Sequence, residues 1–102
     1  MAQDKIRTEL VEHLLDVFAH TQDQDTIYAI LQDLCTVREI TEMSQRLEVA
    51  RLLSEGASYL DIQEQTGASA TTISRVSKCL NYGSGGYGAA LGMLCGSQDE
   101  ER

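Results

Sequence analysis

Apolar residues recur along this chain at helical rather than alternating spacing. From Lys5 to His20 the positions Ile6, Leu10, Leu14, Val17 and Phe18 fall on one stripe of a long amphipathic helix. Thr21 to Asp25 is polar and breaks the pattern, and Ile27, Tyr28, Ile30, Leu31 and Leu34 resume it in a second, shorter helix. Thr36 and Glu39 then stand at the T-x-x-E spacing of a capping box, in which each side chain satisfies the other residue's backbone N–H. A third helix is predicted from Val37 to Glu55, stopped by Gly56. Ile40, Met43, Leu47, Ala50 and Leu53 form its apolar stripe, and Val49 and Leu52 widen it. So broad a surface needs cover, either from a second subunit or from the N-terminal helices folded back over it.

The segment from Ser58 to Leu80 has a finer pattern. Ser58 is placed to cap a helix starting at Tyr59, with Asp61 in its first turn to complement the dipole. Ile62 points inward, Gly67 supplies the positive φ that ends the helix, and Ser69 caps the next one. At 100° per residue Ile73, Val76 and Leu80 share one side of that second helix, while Thr71, Ser74, Arg75 and Lys78 share the other. Two short helices about a three-residue turn, with the packing positions all satisfied together, make a helix-turn-helix over residues 58–80. The blander reading is two packed helices with a solvated outer face. If the motif reads DNA, the residues that meet it are Ser69, Ala70, Thr71 and Thr72 at the leading end, then Ser74, Arg75 and Lys78. Thr methyls can touch thymine, hydroxyls can bond bases or water, and the two cations suit phosphates or a guanine.

Past Leu80 the glycines at 83, 85, 86 and 88 predict a flexible joint. They lack the following GK[ST] and the preceding strand of a phosphate loop. Ala89 to Cys95 can form a short closing helix, and 96–102 is expected to be a disordered acidic tail. The 102 residues therefore make a single helical domain over 1–95.

Composition narrows the function classes. The net charge is −8, an objection to DNA binding that must be answered locally. Between Ser44 and Tyr82 Arg46, Arg51, Arg75 and Lys78 balance Glu48, Glu55, Asp61 and Glu64, so the acids in excess lie elsewhere. Three cysteines at 35, 79 and 95, odd in number and without CxxC spacing, read as small buried hydrophobes rather than a disulfide or zinc framework. Glu9, His13, Asp16 and His20 line one helical face, where a solvated polar surface is expected rather than a metal. No nucleophile and base constellation suggests an enzyme, and no cofactor is implied. Without a membrane-spanning run or a signal sequence, the chain is expected in the cytoplasm.

From Leu34 to Tyr82 the runs DLCTVREI, SQRLEVARLL, TGASATTISRV and CLNYG resemble the Trp repressor superfamily, most closely its YerC/YecD branch. The resemblance implies an all-α, Trp-repressor-like fold, an intertwined homodimer, and a transcriptional regulator, a repressor, bound to double-stranded DNA. It also implies an effector pocket, where Thr36, Arg46 and Arg75 match the family's ligand-holding threonine and arginines. Two further pocket positions depart: Val76 replaces a glycine and adds bulk where an indole would lie, and Cys79 replaces a serine that bonds the ligand amine. Tryptophan is therefore disfavoured as effector, and the arginines are expected to pair with acids such as Glu42 or Glu48 or to hold another carboxylate. Leu60 and Gln63 stand where the family's classical repressor has basic residues on the first motif helix. That loss of cations suits the alternative reading, a protein-interaction module of the same fold with little DNA affinity.

Overall fold

The computed structural model describes the backbone of residues 5–100 and the side chains of residues 5–95. Among the described residues there are six α-helices and no strand: α1 (Glu9–His20), α2 (Gln24–Leu34), α3 (Val37–Ser54), α4 (Tyr59–Thr66), α5 (Ala70–Tyr82) and α6 (Gly86–Glu100). The helices gather into two compact units, the first ending at Ile40 and the second starting at Thr41, so the division falls inside α3. No helix among the described residues is long and apolar enough to cross a membrane.

In the first unit the helix starts are set by side-chain caps. Thr8 Oγ1 accepts the Val11 N–H at 3.3 Å, so α1 begins at Glu9 rather than at Lys5 and Ile6 is left outside it. Asp23 caps α2 through the Thr26 N–H at 2.9 Å. The predicted capping box closes reciprocally: Thr36 Oγ1 accepts from the Glu39 N–H at 3.0 Å and Glu39 Oε1 from the Thr36 N–H at 2.8 Å. Neither α1 nor α2 has a buried residue. Leu10 is 78 % exposed, and Leu14, Leu15, Val17, Tyr28 and Leu34 are exposed too. Of the face expected to be solvated, Glu9, His13, Asp16 and His20 are all exposed. His13 Nε2 lies 4.0 Å from Glu9, and His20 Nδ1 donates to the Asp16 carbonyl at 2.7 Å.

The second unit holds the whole described core. Val49, Ala50 and Leu52 of α3, Ile62 of α4, Ala68 of the turn, and Ile73 and Val76 of α5 are buried together. Leu53, Ala57, Tyr87 and Leu91 pack partly against them. Each large side chain enclosed in this way contributes about 1.5–3 kcal/mol of transfer free energy. Val49 and Leu52, at the margin of the α3 stripe by spacing, are central here, while Met43 from that stripe is exposed.

The C-terminal segment departs from the sequence reading. Gly85 takes a φ of 90° and the Ala89 N–H bonds its carbonyl at 3.0 Å, so α6 starts at Gly86 instead of Ala89. Each glycine costs about 1 kcal/mol in a helix, and the packing of Tyr87 and Leu91 against the core outweighs that cost. The helix continues to Glu100, across most of the 96–102 segment expected to be disordered; residues 101–102 lie outside the described residues. Once nucleated, a helix gains one hydrogen bond for each residue added.

Candidate nucleic-acid interface

The α4-turn-α5 unit is built from short-range bonds over a buried floor. Ser58 Oγ accepts the Asp61 N–H at 3.1 Å and starts α4 at Tyr59. Gly67, with φ 75°, closes the helix by donating its N–H to the Gln63 carbonyl at 2.9 Å. The Thr66 hydroxyl donates to the Ile62 carbonyl at 2.7 Å and accepts from the Ala68 N–H at 3.1 Å, bridging helix and turn. From α3 the Gln45 amide donates to the Thr66 carbonyl at 3.1 Å, which anchors the turn to the core helix. Ser69 Oγ accepts the Thr72 N–H at 3.1 Å and starts α5 at Ala70. Ile62, Ala68 and Ile73 lie buried beneath. The direction of α5 is therefore fixed by the core.

The faces of α5 divide as the periodicity predicts. Ile73 and Val76 are buried and Leu80 half-buried, whereas Ala70, Thr71, Ser74, Arg75 and Lys78 are exposed. Ser69 is exposed as well, and its hydroxyl donates to that of half-buried Thr72 at 3.1 Å. Thr71 and Ser74 have no hydrogen-bond partner for their hydroxyls among the described residues, and Arg75 and Lys78 no ion pair. Arg51, by contrast, is paired on all three nitrogens: Nε and Nη2 donate to Glu48 at 2.8 and 2.7 Å, and Nη1 to Glu55 at 2.6 Å. The Arg51 guanidinium holds the Glu48 carboxyl below its usual value, and the two acids raise that of Arg51. Glu48 is thus the partner of Arg51, three residues on, and not of Arg46, two residues back and on another face. Arg46 itself is half-buried and, like Arg75, makes no ion pair among the described residues. No acidic residue stands between Glu64 and Asp99, so α5 carries its two cations undiluted.

Thr36, in the first unit, spends its hydroxyl on capping α3. Val76 is 1 % exposed, its bulk used in core packing with Ile73 rather than presented to a cleft. Cys79 is exposed and lines a cleft of about 420 Å³ with Leu47, Gly83, Ser84, Gly86, Tyr87 and Ala90. Neither Arg46 nor Arg75 lines it. Its walls come from α3, α5 and α6, and because Gly85 sets the angle between the last two, no spacing rule in the sequence reveals it. The expectation of three buried cysteines gives way: Cys35 is half-buried, and Cys79 and Cys95 are exposed.

A capped pair of short helices on a left-handed glycine turn, carried by an all-helical scaffold, defines a helix-turn-helix protein. Residues 9–94 match the family of the Trp repressor protein, and the chain belongs to that family. It is 46 % identical over 91 residues to the uncharacterized protein YerC of Bacillus subtilis (strain 168), spanning 89 % of this chain and 88 % of YerC. The crystal structure of a TrpR-like protein from Eubacterium eligens ATCC 27750 superposes with a TM-score of 0.85 at 46 % identity, covering 90 % of this chain and 95 % of that one. That of a candidate Trp repressor from Staphylococcus aureus gives a TM-score of 0.84 at 36 % identity, over 92 % and 94 % of the two chains.

Proposed function

We propose that this chain is a sequence-specific, DNA-binding transcriptional regulator, a cytoplasmic repressor that works as a homodimer and not as an enzyme. The observation that carries the reading is the outer face of α5, where Thr71, Ser74, Arg75 and Lys78 are exposed and, among the described residues, uncommitted in an acid-free stretch of chain. Ser69, Ala70 and Thr72 complete the leading end of the helix that enters the major groove. Dimerisation is supported by the open apolar stripes of α1 and α2: paired across two chains they gain the cover that the lone chain lacks. Two recognition helices then meet successive major grooves, roughly 34 Å apart. Arg46 and Arg75, with no ion pair among the described residues, remain able to hold a carboxylate effector other than tryptophan.

Selection of bound fragments from sheared genomic DNA tests this, with the Arg75→Ala/Lys78→Ala double variant in parallel. Enrichment of a shared, roughly palindromic sequence by the wild type alone is expected. The same enrichment by both proteins would refute the recognition-helix role. Failure of both to enrich any sequence would favour the protein-interaction reading, which the 65 % exposed Leu60 on α4 suits.

A further inference from the structure

We infer that the recognition helix reads thymine through a C5-methyl contact made by Thr71, with Ala70 beside it, so that each half-site holds a thymine at the position facing the leading end of α5. The inference rests on the DNA-binding reading above and specifies its substrate.

Base identity in the major groove is read by a short list of partners. Guanine takes Arg or Lys in two bonds, adenine takes Asn or Gln, cytosine's amino group wants a carboxylate, and thymine offers a methyl to apolar contact. From Ser69 to Ser74 the chain contains no Arg, Lys, Asn, Gln, Asp or Glu. The first side chain able to grip a purine edge twice is Arg75, a full turn beyond Thr71. Carboxylates are missing from Gln65 to Gln98, so nothing on α5 is suited to accept from cytosine. The hydroxyls of Ser69 and Thr72 are engaged with each other, and Ser69 also with the Thr72 N–H.

What the leading end of α5 presents is therefore the Ala70 methyl and the exposed methyl and hydroxyl of Thr71. Because Thr71 is β-branched, its methyl is held in few rotamers and little freedom is lost on contact. A cytosine at the same position has no C5-methyl and so gives up the apolar contact with the exposed Thr71 methyl.

Uracil differs from thymine only in lacking the C5-methyl. Sequences are first selected by the full chain from a random duplex pool, then remade with uracil replacing thymine one position at a time and titrated at fixed salt. At the contacted position affinity should fall about fourfold, the factor for removing one buried carbon's worth of apolar contact. Thr71→Ser, which keeps the hydroxyl and removes the methyl, should abolish that loss, and Thr71→Val, which keeps a methyl, should retain it. Equal affinity for every uracil duplex overturns methyl reading while leaving DNA binding in place. A uracil penalty unchanged at all positions in Thr71→Ser takes the contact away from Thr71, leaving it to Ala70 or to duplex shape, and overturns the inference as well. Failure to select any sequence from the pool removes the DNA-binding reading itself. A thermal melt of each variant establishes that it is folded.

Discussion

At Gly67 the backbone holds a φ of 75°, a conformation that costs an L-residue about 1 kcal/mol. A Cβ there would meet no atom within 4 Å, so Gly67→Ala should lose only that backbone term, measured as a shift in the urea midpoint; a loss several times larger would mean that the turn packs more closely than it does here. Ile62 is the contrasting case. It is fully buried beneath the turn, and Ile62→Ala should cost about 2–5 kcal/mol, enough to threaten folding in a chain of this size. Single residues were legible wherever the physics is local. Ser58, Gly67, Ser69 and the Thr36–Glu39 pair act within three or four positions, and each does what its spacing predicts. Cys79 and Cys95 were not legible, because their exposure depends on how α6 lies against α3 and α5.

Two helix starts and one ion pair carry the pH response. Asp23 is held below its ordinary carboxyl value by hydrogen bonds from Thr26, and Glu39 by bonds from Thr36. Glu48 is lowered by Arg51. All three bind protons less readily folded than unfolded, so the stability they add is complete above the ordinary carboxylate range of about 4 and disappears as pH falls through the lower folded values. Melting temperature should stay level from neutral pH to about pH 5 and then drop, and Glu39→Gln should flatten part of the drop. A melting temperature that rose on acidification would contradict these assignments. The limits of α3, α4 and α5 were readable because caps and periodicity agree there. For α6 they disagree: its glycines argue against a helix, and only the core contacts of Tyr87 and Leu91, invisible in sequence, reverse the outcome.

For the whole molecule the charge of −8 and the two cations on α5, which make no ion pair among the described residues, predict a distinctive salt response. If Arg75 and Lys78 of two chains meet four phosphates, log affinity should fall with log salt at a slope no steeper than about −4. A slope near −10 would require cations outside α5. Assembly has its own test: Leu14→Glu on the open α1 stripe should convert a dimer to monomers in sedimentation experiments, and a wild-type monomer at tens of micromolar, by order of magnitude, would end the dimer proposal. This was the scale least legible from sequence, since the width of the α3 stripe allowed either a partner or a folded-back arm. The confinement of every described buried side chain to residues 49–76 bears on time as well as on structure. Amide protons of α4, α5 and the C-terminal half of α3 should exchange with solvent only through global opening, while those of α1 and α2 exchange by local fraying until another chain arrives. Deuterium uptake in those two helices would then report cellular concentration, because a scarce regulator would leave its arms open to proteases while its reading head stayed folded.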